Sequence, residues 1–143
     1  MLNRLPIAIM AAILALLAIL PGCDAAGPQV VIVAPDKSVL ATISVEIANT
    51  AQQRELGLMY RKQMDENAGM LFVFPAAEPL KFWMKNTFIP LDMIFADDSG
   101  AIAGIVADAV PLSEDQVGPD APSRYVVEVN GGFAARHAIK PGD

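Results

Sequence analysis

An indole, an ammonium group and a carboxamide stand within four positions of one another at Trp83, Lys85 and Asn86, and Trp83 is the only Trp of the chain. An aromatic face supplies dispersion, and Lys or Asn supplies hydrogen bonds. This is the chemistry of holding a sugar ring, a planar ligand or a peptide edge. In extended backbone Phe82 and Trp83 point to opposite faces, and Lys85, two residues on, returns to the face of Trp83. The competing account makes Trp83 a partly buried core residue and leaves Asn86-Thr87 to close a turn, since Asn tolerates left-handed geometry.

Asp92 stands out for a different reason. It interrupts the apolar run Leu91-Asp92-Met93-Ile94-Phe95, where a carboxylate is costly unless paired or at the surface. Arg54, Arg61 and Lys85 are the partners to expect, and an ion pair fixing strand register is the bland account. The candidate binding set is therefore Trp83, Lys85, Asn86 and Asp92, with Arg61 nearby. Acid–base catalysis needs two carboxylates facing one substrate, and Asp92, Asp97 and Glu128 are the candidates. Asp97 belongs to a turn, and Glu128 points outward by simple alternation. There is no Gly-x-Ser-x-Gly, and the sole His, His137, has no evident nucleophile beside it, so no residue is assigned as catalytic. One His does not make a zinc site. The Met residues 59, 64, 70, 84 and 93 are scattered through apolar runs, which suits gap filling better than copper ligation. No metal and no cofactor is expected.

The elements that must position these groups are short strands. Val39, Ala41, Ile43, Val45 and Ile47 alternate with Leu40, Thr42, Ser44, Glu46 and Ala48, the period of a strand with one buried face. Other β-type runs lie at residues 30–33, 69–74, 80–84, 91–95, 101–106 and 125–129. Thr50 followed by Gln53 fits a capping box for a helix over residues 51–56, ended by Gly57. Asp97-Asp98-Ser99-Gly100 reads as a hairpin turn. Residues 110–123, with Pro111, Pro119 and Pro122, read as an exposed loop, and residues 133–138 as a helical turn. The fold class is mainly β: a compact barrel-like or jelly-roll-like sandwich with one or two short helices.

The N-terminus differs in kind. Arg4 precedes an apolar stretch over residues 5–20, broken only by Pro6, which is the charged start and apolar middle of an export signal. Its 16 residues fall short of the roughly 18 to 20 that span a bilayer. Leu20-Pro21-Gly22-Cys23 resembles a bacterial lipobox, with Pro21 off the usual pattern, so lipidation of Cys23 is expected. Cleavage after Ala25 is the alternative. Asp24 resembles the signal that retains Gram-negative lipoproteins in the inner membrane. The division is then a signal over 1–22, a linker over 23–29 and one β-rich domain over 30–143. Without a second Cys no internal disulfide forms. The formal charge is −6, and losing the signal removes one Arg and no acid, so the exported part is more negative still. Such a domain repels nucleic acid.

Arg54-Glu55-Leu56-Gly57-Leu58-Met59-Tyr60-Arg61, residues 69–74, residues 82–87, residues 89–95 and residues 125–131 together resemble the domain of unknown function 192 family, over roughly residues 39–143. The resemblance implies a small, mostly β domain with a barrel-like core, often behind an export signal, and it implies no settled activity. Members usually continue past Pro141-Gly142-Asp143 into a final strand that this sequence does not include, which implies an uncovered sheet edge. The function expected is a non-catalytic binding domain, lipid-anchored at the outer face of the cytoplasmic membrane (the periplasmic side in a Gram-negative cell), for a small polar molecule, a glycan fragment or a peptide. The alternatives are a protein-interaction module in envelope assembly and, third, a hydrolase using Asp92 and Glu128. A hollow beside Trp83 favours the first, a flat apolar patch the second and converging carboxylates the third.

Overall fold

The computed structural model describes residues 27–143. Cys23, and with it the boundary of the export signal and most of the linker, lies outside the described residues. Among the described residues six strands form one sheet: β1 (Gln29–Val33), β2 (Val39–Ala48), β3 (Ala68–Pro79), β4 (Leu91–Ala96), β5 (Ile102–Ala109) and β6 (Pro122–Asn130), in the order β1-β2-β3-β6-β4-β5. The sheet curls into a half-barrel, the mainly β, barrel-like fold that the sequence predicts. All pairings are antiparallel except β2 with β3.

That parallel pair requires a crossover, which carries α1 (Ala51–Leu56). The capping box is present as the sequence predicts: Thr50 Oγ1 accepts from Gln53 N–H at 3.2 Å, and Gln53 Oε1 accepts from Thr50 N–H at 3.1 Å. Gly57 ends the helix at φ 46°, and a Cβ there would stand 3.2 Å from the Phe72 ring. The crossover then sends Leu58, 2 % exposed, into the core against Phe72 and Met70.

The sheet is packed on both faces. One face gathers Ile43, Val45, Ile94, Val127, Val129 and Phe133, the last from α2 (Phe133–Arg136). The other gathers Met70, Phe72, Met93, Phe95 and Val126 under Leu58, Leu80 and Met84. β6 and β4 are interior strands covered on both faces, so residues 126–129 and 91–95 are buried on both sides. This is why they read as near-continuous apolar runs.

Three expectations change. Val39 and Ile47 are exposed although the alternation places them inward, because the ends of β2 run past the cluster on that face, while Ala48 is buried on the other; only Ala41, Ile43 and Val45 form the buried stripe. Residues 80–84 are not a strand but one two-way bridge, Phe82 N–H to Val117 O and Val117 N–H to Phe82 O, both 2.8 Å. Pro79 and Pro90 bracket the segment, and Pro offers no ladder donor. Residues 110–121 are thereby a loop laid along that segment, not a free one, and Ser123 is already inside β6 and fully buried. The uncovered edge implied by the family resemblance is met in part by the chain end, since Ile102 N–H donates to Asp143 O and Gly142 N–H to Ile102 O, both at 2.9 Å.

Ile43→Asp is expected to cost about 3 kcal/mol or more, because the carboxylate enters the centre of the buried stripe without a partner. Thr42→Asp and Ile47→Asp should cost well under about 1 kcal/mol, at exposed positions on the same strand. Urea unfolding of the three variants checks the assignment, and equal losses at positions 43 and 47 would contradict it.

Candidate functional site

The bridged segment over residues 80–90 sets the site. Phe82 packs edge-to-face against Phe72, Phe74 and Phe95 at centroid distances of 5.2, 6.1 and 5.7 Å, and Met84 is 2 % exposed. With Phe82 and Met84 fixed inward, extended geometry turns Trp83 and Lys85 outward. Trp83 is 39 % exposed, so it is not a core residue. Lys85 Nζ sits 4.9 Å from the Trp83 ring centroid, a cation–π contact worth about 0.5–1 kcal/mol at an exposed site. Lys85 makes no ion pair among the described residues.

Beside Trp83 lies a hollow of about 230 Å³. Its walls are α1 with the turn after it (Arg54, Glu55, Gly57, Met59) and the segment carrying Lys81, Phe82, Trp83 and Lys85. Arg54 spends Nη1 on the carbonyls of Asn49 and Val73, at 2.8 and 2.9 Å, and stacks on the Phe74 ring. Lys81 is held by Gly118 O at 2.7 Å and Asp120 Oδ1 at 3.0 Å. A second hollow adjoins it, sharing Glu55, Met59, Trp83 and Lys85 and lined further by Tyr60 and Asn86. Asn86 takes φ 53°, and its amide donates to Tyr60 Oη at 2.9 Å. It thus closes the turn and borders the site at once.

The other two expected members are elsewhere. Arg61 donates through Nη1 and Nη2 to Glu46 Oε1 and Oε2, at 2.5 and 2.7 Å, beside a separate groove at β2. This guanidinium holds the Glu46 carboxyl below the usual carboxylate range. Asp92 is 0 % exposed and meets none of the cations expected for it. Its Oδ1 accepts from Asp108 N–H at 2.9 Å and Gly132 N–H at 3.0 Å, and its Oδ2 from Ala134 N–H at 2.8 Å. A bulge in β5 opposite Asp92 puts Asp108 at φ 48° and frees its N–H from the ladder. Gly132, the N-cap of α2, has no side chain to satisfy the first helical N–H groups. Asp92 answers both needs, so its role is structural. His137 is likewise a packing residue, stacked at 4.2 Å on Phe133 and donating from Nδ1 to Leu40 O.

Glu128, which alternation places outward and which the hydrolase alternative pairs with Asp92, is instead buried at the hollow, because β6 is covered on both faces. In register it opposes Met70 on one side and Met93 on the other, whereas Asp92 opposes Val129. Asp92 and Glu128 therefore face opposite sides of the sheet and cannot share a substrate. Glu128 lines the floor of the Trp83 hollow, 5 % exposed. Burial pushes its carboxyl up to about 8. The folded chain keeps this proton where the unfolded chain releases it, so stability falls as pH rises from the ordinary glutamate range toward 8. The signal that exposes Glu128 in the sequence is the one that exposes Asp92: a lone acid inside an apolar run.

No group of three His, Cys, Asp or Glu side chains is placed to hold a metal among the described residues. With this fold and hollow in view, the sequence pattern of the DUF192 family, described as an uncharacterized ACR, matches residues 31–143, and the chain belongs to that family. A crystal structure of a candidate transcription regulator from Sinorhizobium meliloti is similar at 42 % identity and TM-score 0.77, over 80 % of this chain and 88 % of that one. A protein of unknown function from Novosphingobium aromaticivorans is similar at 36 % identity and TM-score 0.75, over 80 % of this chain and 81 % of its own. No curated protein matches the chain.

Asp92→Ala orphans three backbone donors, that of Ala134 buried and the other two part-buried, and is expected to destabilise the protein by about 3 kcal/mol or more. The variant should lose amide protection at Asp108 and Ala134 first in hydrogen exchange. A stability unchanged within error would mean that Asp92 does not hold this junction together.

Proposed function

We propose that this is a non-catalytic ligand-binding domain of an exported envelope protein, held at the outer face of the cytoplasmic membrane by lipid on Cys23. The ligand is a small polar molecule, a glycan fragment or a peptide, and it lies against Trp83 with Lys85 and Asn86 beside it. The observation that carries this reading is the exposed indole with an unpaired ammonium over its ring at the mouth of a hollow. A large apolar ring left 39 % exposed forgoes burial that a core position would supply. The lipid anchor rests on the lipobox-like Leu20-Pro21-Gly22-Cys23 at the end of an apolar run too short to span a bilayer. A formal charge of −6 repels phosphate, which argues against nucleic acid as the ligand.

One observation favours the interaction module as a second reading. Tyr60, Phe88, Val110 and Leu112 are all exposed, with Tyr60 and Phe88 edge-to-face at 6.3 Å and Leu112 tied to Thr87 by a 3.1 Å backbone bond. A contiguous apolar patch of this kind suits a protein partner in envelope assembly.

Trp83 emission decides between ligand platform and spectator. The indole should be quenched by iodide, and a panel of glycans and envelope peptides should contain a ligand that shifts its emission. Trp83→Ala and Lys85→Ala should each weaken that ligand by about 1 kcal/mol or more while unfolding within about 1 kcal/mol of wild type. A ligand that binds equally well to both variants places the function elsewhere.

Cys23→Ser should move the protein from the membrane fraction to the soluble fraction, or leave it uncut, because the acyl chains that hold it are lost. An intact mass without acyl chains on wild type would sink the anchor.

A further inference from the structure

Glu128 is the buried acid at the Trp83 hollow, and the fold does not consume its chemistry. Its side chain is 5 % exposed and lines the hollow. Its carboxyl has no hydrogen bond among the described residues, and burial alone sets its protonation. It is also absent from the sealed, unpaired polar atoms, of which Asp143 Oδ1 is the only one among the described residues, so it stays reachable from the hollow. A carboxyl buried between Met70 and Met93 is costly to leave unpaired. The central strand could carry Val at this position, as it does at Val126, without any such cost.

The charged groups around it are Arg54 and Glu55 from α1, and Lys81 and Lys85 from the 80–90 segment. Arg54 and Lys81 are engaged with backbone carbonyls and Asp120, whereas Lys85 has only the indole face. On the walls Arg54, Lys81 and Lys85 stand against the single anion Glu55. The volume of about 230 Å³ is below the about 300–1,000 Å³ of sites for drug-sized ligands, which admits a single small ring and not a folded peptide.

Resting on the ligand-site reading above, we propose that this hollow binds a small organic acid of about monosaccharide size, with the Glu128 carboxyl donating its O–H to an acceptor oxygen of the ligand and the Lys85 ammonium pairing with the ligand's charge. Only a protonated carboxyl donates, and burial keeps Glu128 protonated up to about pH 8; a bound anion nearby favours the neutral form further. A ring face of the ligand lies on Trp83. A cationic ligand meets Lys85, Lys81 and Arg54 and is disfavoured.

Three probes with one ring and different charge test this: glucuronate, glucose and glucosamine, titrated against the full chain and followed by Trp83 emission. Glucuronate should bind the tightest at about pH 6.5, and its affinity should fall about tenfold by about pH 9, because one unit above a pKa of about 8 roughly one carboxyl in ten remains protonated. Glu128→Gln keeps a neutral donor at every pH, so it should bind glucuronate as wild type does at low pH and lose the pH dependence. Lys85→Ala, at the surface, should abolish the preference for glucuronate over glucose. Tighter binding of glucosamine or glucose, or a fall with pH that persists in Glu128→Gln, overturns the organic-acid inference while leaving the hollow a ligand site. Silence toward all three probes overturns it too, and the broader glycan and peptide screen then decides the ligand-site reading separately.

Discussion

The Asp92 carboxylate is the interaction on which the rest of the architecture depends. It gathers three N–H groups that no sheet ladder or helix can satisfy: one from the β5 bulge and two from the turn into α2. Each of those donors would otherwise lack a partner, the Ala134 N–H in a buried position, where such a loss costs about 1–3 kcal/mol. Because one side chain serves all of them, the end of β5, the end of β6 and the start of α2 are fixed relative to β4. Phe133 and Ala134 then seal one face of the sheet over Ile43 and Val129. The tight approach at Gly131, where a Cβ would come within 2.6 Å of Asp108 Oδ1, belongs to the same junction.

With one face closed in this way, the other is free to carry a site. The α1 crossover and the 80–90 segment cover it incompletely, leaving a hollow over the centre of the sheet. Its floor is a strand locked between two neighbours, and its rim is an indole held out by the packing of Phe82 and Met84. Rigid strands and a bridged loop position these groups more firmly than a free loop does. The hollow is thus a by-product of how the crossover returns, and Glu128 is the polar group that this return leaves facing it.

Much of the fold was legible in residue order. The capping box at Thr50 and Gln53, the stripe of Ala41, Ile43 and Val45 and the Asp97 turn all rest on interactions within a few residues, and local chemistry specifies them. The shared face of Trp83 and Lys85, opposite Phe82, was legible too, because alternation holds in any extended segment even where no strand forms; which of the two faces meets solvent was not. The strand expected over residues 80–84 was not there, since β-type composition states that a segment is extended and half-buried but not that a ladder partner lies beside it.

What the sequence by itself determined was the class of the domain, the family and the pair of lone acids set in apolar runs. Which acid serves the fold and which faces the hollow was decided only by tertiary structure. Asp92 and Glu128 look alike in one dimension, each an Asp or Glu among Val, Ile, Leu, Met and Phe. Their registers on adjacent strands differ by one residue, and a shift of one turns a side chain to the opposite face. On one face wait three unpaired backbone donors; on the other, an opening beside Trp83. No local pattern records that difference, because the donors come from residues 16 to 42 positions away and the opening is made by segments that meet only when the chain has folded.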